Sequence, residues 1–344
     1  MKKLFYSLLI IFVLMLAGCP APATVSVSEP LYSVYVAGYE GIGSHSRAKY
    51  WKDGTEVILE SNTSSSEALS IYVSGTDVYV AGRGFTGFHR SIYWKNGTAV
   101  TLTDGTESAA ASGIFVSGGD VYVAGYEDRP GGSSSQGKYW KNGTETIIDN
   151  SSYTVKLSSI FVSGTDIYVA GVAHHNGKNH AKYWKNDVPF ELTDNSLNAL
   201  IKSIYVSGTD VYTAGNKRSS TSLYIAVYWK NFLEIPLSDG TTNAKANSIF
   251  VSGGDVYVAG FNRYDAVYWK NGTEIALTNG TTNLSYAVAT DIFVLGNDVY
   301  VSGYQLNEQT HEEMAKYWKN GTETVLTDGT ETARANSIFV AVNH

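Results

Sequence analysis

The chain holds a single cysteine in 344 residues, so no disulfide can form within it and no framework of bridges holds the fold. Long runs of helix formers are missing, and no helical periodicity of useful length follows the N-terminus. A helical bundle and an alternating α/β fold are thereby excluded. No basic run or stripe occurs, and the formal charge is −7. Losing Lys2 and Lys3 with a leader takes −7 to −9, so nucleic acid is not an expected partner. Glycines are plentiful, but none forms a phosphate loop in a strand–turn–helix setting, because no helix follows.

What the chain does have is one stretch written seven times, with a period of roughly 44 residues. Its clearest copy, 70–105, reads SIYVSGTDVYVAG, a variable insert, YWKNG, and TAVTLTDG. Ile71-Tyr72-Val73 and Val78-Tyr79-Val80 are β-branched and aromatic strand signals, joined by a tight Ser74-Gly75-Thr76-Asp77 turn. Tyr93-Trp94-Lys95 and Val100-Thr101-Leu102 form a second hairpin around Asn96-Gly97, the residue pair that a type I′ turn favours. Four antiparallel strands per copy is the content of a propeller blade.

The tryptophans count the copies: Trp51, Trp94, Trp140, Trp184, Trp229, Trp269 and Trp318. The turn aspartates number one fewer: Asp77, Asp120, Asp166, Asp210, Asp255 and Asp298. The first copy lacks its first strand, and that strand stands at the far end as Ser337-Ile338-Phe339-Val340. A repeat split between the termini is what ring closure needs. The expected fold is all-β, a seven-bladed β-propeller of four-stranded antiparallel blades over 31–344, closed by pairing the C-terminal strand with the N-terminal blade. Asn186-Asp187 and Asn231-Phe232 replace Asn-Gly, so those two turns are expected to be longer or strained.

The lone cysteine has its own setting. Met1-Lys2-Lys3 is a basic start, the following apolar run is short, and Leu16-Ala17-Gly18-Cys19 closes it. This resembles the lipobox of bacterial lipoproteins. The resemblance implies a signal peptide over 1–18, cleaved before Cys19, with lipid on the Cys19 thiol and on the new amino group. An ordinary signal peptide or an uncleaved anchor is the plainer alternative, although the apolar run is short for a membrane span. Residues 19–30, with Pro20, Pro22 and Pro30, read as a lipidated tether. Pro at position 20, where an Asp would favour inner-membrane retention, points to the outer membrane in a Gram-negative host. A Gram-positive host stays open.

The repeat stops repeating in the inserts between second and third strands: 39–48, 83–91, 126–137, 172–181, 216–226, 261–266 and 304–315. The short turns belong to one face of the ring and these inserts to the other, where ligands usually enter a propeller. The inserts hold six of the seven histidines, namely His45, His89, His174, His175, His180 and His311. Six of the seven arginines are there too: Arg47, Arg83, Arg90, Arg129, Arg218 and Arg263. Aromatic residues recur with them, among others Tyr39, Phe88, Tyr126, Phe261 and Tyr304. These residues form the expected ligand-binding face. Framework columns contain no His or Arg, so packing alone would also push both into the inserts.

Candidate chemistry is thin. His174, His175 and His180 share one loop but have no Cys, and they read as solvated loop histidines rather than a metal site. His311-Glu312-Glu313 lacks the second His of HExxH, because Ala315 stands there. Each turn Asp stands on its own hairpin, which favours turn chemistry over calcium. The loop acids Glu40, Glu127, Asp128, Asp265 and Glu308 are scattered over several blades. No cofactor, metal or catalytic residue is expected.

The units SGxDVYVAGY and AKYWKNGTxxxLTDGT resemble those of uncharacterised bacterial repeat lipoproteins, across almost the whole mature chain. That resemblance implies fold more than activity. The expected function is a membrane-anchored, monomeric binding or interaction module of the cell envelope, taking a protein, peptide or glycan. A polysaccharide hydrolase or lyase on the same face, or an envelope-assembly scaffold, is the alternative.

Overall fold

Each copy of the repeat folds into the four strands its residues specify, and the seven copies close on themselves. The computed structural model describes residues 32–149, 151–193, 198–280, 282 and 285–343. The expected leader and tether, with Cys19, lie outside the described residues. Among those described, 28 strands form seven four-stranded antiparallel sheets. The second blade, for example, contains Ser65–Ser74, Asp77–Phe85, His89–Lys95 and Thr98–Thr101. In the first blade the inner strand is Ala333–Val342, paired with Tyr32–Ile42. The register is Val34↔Val340, Tyr35↔Phe339 and Val36↔Ile338. The expected closure is therefore present.

The tryptophan column forms the joints between blades. All seven indoles are almost fully buried. Trp94 packs with Tyr35, Ala37 and Tyr50 of the preceding blade, and Trp269 with Tyr212 and Ala214. Removing one such side chain from water is worth roughly 4–6 kcal/mol as an upper bound.

The turn face is tied down by ion pairs. Asp77 accepts from Lys95 Nζ at 2.9 Å, from Asn96 Nδ2 at 2.8 Å and from the Tyr79 hydroxyl at 3.2 Å. Asn96 Oδ1 in turn accepts from the Val78 amide at 2.8 Å. So the turn aspartates are not isolated, as expected from sequence, but clamp the first hairpin to the second. The clamp recurs six times, and in the last blade Asp298 and then Tyr300 push Lys319 up to about 12.

Of the two turns lacking Asn-Gly, expected to be longer or strained, neither is longer: both keep the ordinary two residues. Strain is present in one of them, where Asp187 follows Asn186 with both φ angles positive, at 68° and 48°. Asn231 alone is left-handed in the other, and Phe232 stands out into solvent.

One irregularity recurs in every inner strand. Pairing with the second strand skips a single residue, as between Ile201 and Ser203, so that Lys202 is extra. The equivalent extra residues are Leu69, Ser112, Ser158, Asn247, Thr290 and Asn336. These are β-bulges, which bend a strand and re-aim a side chain. Each bulge presses the carbonyl two residues before it onto the glycine of the facing Ala-Gly or Ser-Gly pair. A Cβ on Gly215 would lie 1.9 Å from the Leu200 oxygen, and one on Gly82 2.0 Å from that of Glu67. Glycine is required there for want of space, not for its φ angle. Gly215→Ala should lower stability by about 3 kcal/mol, read by denaturant unfolding. A loss under about 0.5 kcal/mol would show that the bulge yields freely.

Candidate functional site

The seven bulged residues encircle the ring axis and line one cavity of about 730 Å³, whose walls come from all seven blades. Four of them brace the ring. Ser158 Oγ donates to the Ile201 carbonyl at 3.0 Å and Asn247 Nδ2 to that of Ala289 at 2.8 Å. Thr290 Oγ1 donates to Ala335 at 2.6 Å and Asn336 Nδ2 to Ala68 at 2.8 Å. In each case the acceptor belongs to the next blade.

One residue deeper, a layer of serines performs the complementary task. Ser337 Oγ accepts the Ile71 amide at 3.2 Å, Ser70 that of Ile114 at 3.3 Å, and Ser203 that of Ile249 at 3.3 Å. In the seventh blade the serine is replaced by Asp291. Its carboxylate accepts from Ser248 Oγ at 2.5 Å, Ser337 Oγ at 2.7 Å, and the Ile338 and Ile292 amides at 2.9 Å each. Burial pushes the Asp291 carboxyl up, against these hydrogen bonds, which pull it down. Nearer the turn face a collar of aromatic rings surrounds the axis: Tyr72, Phe115, Phe161, Tyr205, Phe250, Phe293 and Phe339, each 4.8–4.9 Å from the next.

At the opposite end the cavity is cationic. Lys156, Lys202 and Lys245 project from the inner strands of three consecutive blades, and Arg334 from that of the first. Arg334 is neutralised by Glu313, and Arg83 holds Glu67 at 2.8 Å. Among the described residues none of the three lysines meets a carboxylate. Instead Lys156 Nζ sits 4.0 Å from the Tyr126 ring centre and Lys245 Nζ 4.4 Å from that of Tyr224. Lys202 is exposed within the cavity, yet protein surrounds it. That desolvation, followed by the charge of Lys245, lowers its pKa.

The residues expected to form a binding face divide. Tyr126, Phe261 and Tyr304 line the cavity, and partly buried Tyr39 lies close enough to Arg334 to feel its charge. Arg129 donates to the Ser151 carbonyl at 2.6 Å, Arg218 and Arg263 lie over Tyr224 and Tyr264, and Arg90 lies across Gly105. These contacts brace the loops. His45, Arg47, Phe88 and His311 are exposed and outside the cavity. His89 packs 5.2 Å from Phe85, and burial lowers its pKa. The reading of three solvated histidines needs correction. His174 bonds Asn179 at 2.8 Å, while His180 is buried and stacks flat on His175, with ring centres 3.7 Å apart.

The loop acids are also engaged: Glu40 with Lys49 at 2.5 Å, Glu127 with Lys138 at 2.6 Å, and Asp128 with Ser135 at 2.6 Å. Among the described residues no three of His, Cys, Asp and Glu gather as metal ligands. The cavity lysines were missed because one repeat separates each from the next, so no basic run marks them. Their signal lies in two variable columns, the residue just before the repeated Ser-Ile for Lys202 and the one two positions earlier for Lys156 and Lys245.

No family model and no curated protein matches the chain. Solved structures resemble it in fold. A puromycin-hydrolyzing peptidase of Mycobacterium tuberculosis is 10% identical, with a TM-score of 0.54, over 84% of this chain and 53% of that one. An acylaminoacyl peptidase of Pyrococcus horikoshii is 12% identical, with a TM-score of 0.51, over 87% and 51%. The chain thus spans about half the length of these structures. At such identities the likeness concerns the fold alone.

Because Asp291 has a raised folded pKa, the native state binds its proton more tightly than the unfolded chain does. Its contribution to stability therefore grows as pH falls from neutral toward the ordinary carboxyl range. Asp291→Ser copies five of the other six blades and keeps an acceptor for the Ile338 amide. It should raise the melting midpoint at pH 7, and the gain should shrink toward pH 4. A gain independent of pH would mean that the carboxyl of Asp291 is not raised in the folded state.

Proposed function

We propose that this protein is a binding module of a bacterial cell envelope, held there by lipid on Cys19, whose ligand seats in the cationic mouth of the ring. One observation supports this reading above others. All seven blades keep the same bulge, yet the residue it displays into a shared cavity varies: Leu69, Ser112, Ser158, Lys202, Asn247, Thr290 and Asn336. A rigid framework showing varied side chains at one concave site is the usual layout of a recognition surface. The inserts shape the rim through Tyr126, Phe261 and Tyr304. The peptidase activities in the titles of the similar structures belong to those proteins and are not carried over.

Ser112→Tyr tests the mouth, because Ser112 makes none of the inter-blade bonds of its neighbours. The variant should fold normally and lose at least about tenfold in affinity for whatever the wild type captures, a difference of about 1.4 kcal/mol. Undiminished binding would move the site to the outer loops. For the anchor, Cys19→Ser should shift the protein from the membrane pellet to the soluble fraction on cell fractionation. Persistence in the pellet would leave the lipid without a role.

A further inference from the structure

The three unpaired lysines are not explained by the fold. In the column of Lys202 the other blades carry Leu, Ser, Asn or Thr, and four of these donate to the next blade while Lys202 does not. In the column of Lys156 and Lys245 other blades accept Ala110, Leu200 and Val288. Packing therefore does not need a cation at any of the three positions. Placing three on adjacent blades, around one cavity, sets like charges against each other in a partly desolvated space. An anion relieves that repulsion.

The rim adds a second feature. Lys156 and Lys245 rest on the rings of Tyr126 and Tyr224, and Arg334 lies 4.5 Å from the centre of the Tyr304 ring. Cations and flat apolar faces thus alternate around the mouth. A neighbouring cleft of about 350 Å³ continues the pattern, sharing Lys245, Phe261 and Tyr304 and adding Arg263, Tyr264 and Tyr286. Each inner strand is the edge of its blade, but side chains of neighbouring blades already take up edge groups such as the Ile201, Ala289, Ala335 and Ala68 carbonyls and the Ile71, Ile114 and Ile249 amides, which leaves less of that edge for an extended peptide. A sugar acid presents what this surface complements: an anionic group beside C–H faces that lie flat on aromatic rings.

We propose that the mouth binds an anionic saccharide, one acidic sugar seating its carboxylate or sulfate against Lys202 between Lys156 and Lys245, with the chain leaving over Phe261 and Tyr304 into the adjoining cleft. The proposal rests on the binding reading above and names its ligand class. The test is a panel of immobilised uronate-containing, sulfated and neutral oligosaccharides with acidic peptides, probed with the full chain and with a triple variant, Lys156→Ala, Lys202→Leu and Lys245→Val. Each change installs a residue that another blade already carries in that column, and Lys202→Leu alone serves if the triple variant misfolds.

The wild type should capture acidic saccharides and lose them with rising salt. The triple variant should bind them at least about 100-fold more weakly, and Lys202→Leu about tenfold. Uronate-only or sulfate-only capture tells which acid is recognised, and either supports the proposal. Capture of neutral saccharides, equal in the triple variant and lost in Ser112→Tyr, overturns the anionic inference but keeps the binding module. Capture of acidic peptides alone overturns the saccharide class. Binding of inorganic sulfate with no acidic saccharide, or of nothing on the panel, overturns the proposal altogether.

Discussion

Seven times around the ring, a carbonyl oxygen occupies the space where a facing residue would keep its Cβ. The distances to such a Cβ run from 1.9 to 2.2 Å, well inside contact. That crowding dictates glycine after Val-Ala or its equivalent in every second strand. It also lets the indole of the third strand settle close by: the notional Cβ of Gly82 would stand 3.0 Å from Trp94. The bulge, the glycine and the tryptophan are thus one packing unit. Loosening any of them alters where the extra inner-strand residue points, and with it the wall of the cavity.

Blades are joined by two kinds of contact with different tolerances. Indoles and aromatic rings between sheets tolerate almost no exchange, because a close-packed interior registers even small volume changes. The polar bonds nearer the axis are looser. A bulged Ser, Asn or Thr can reach the next carbonyl, and Leu69, Ser112 and Lys202 leave it without harm to the closure. Variation therefore collects at the axis, where it changes chemistry without disturbing the frame.

The architecture was legible because tryptophan, the turn pairs and the split first copy each mark the repeat independently. Trp94 and Asn96-Gly97 sit at fixed offsets in short strands, a local signal that needs no knowledge of contacts. The site was less legible, for a geometric reason. Lys156, Lys202 and Lys245 meet only because a ring folds one repeat beside the next, so their proximity has no trace in linear spacing. Attention to inserts rich in His and Arg favoured the outer loops, where Arg129 and Arg218 turned out to brace their own segments. The seventh arginine, Arg334, lies outside every insert and is the one that faces the cavity. Asp291 was equally hidden, one of two departures from serine in its column, with Gly113, and its buried environment gives it meaning.

The pairing of Tyr32–Ile42 with Ala333–Val342 also fixes an order of assembly. Six blades can form from segments contiguous in the chain, each within the span of one repeat. The first cannot, since its inner strand is made after the other six blades. Until then the first strand of the ring keeps an open edge, and the partners that finally cover it, such as Ser33 and Asn343, are 310 residues apart. The slowest step on the way to this structure is therefore expected to be a single long-range docking. While the six other blades are being made, the vulnerable surface is a ribbon beginning at Tyr32.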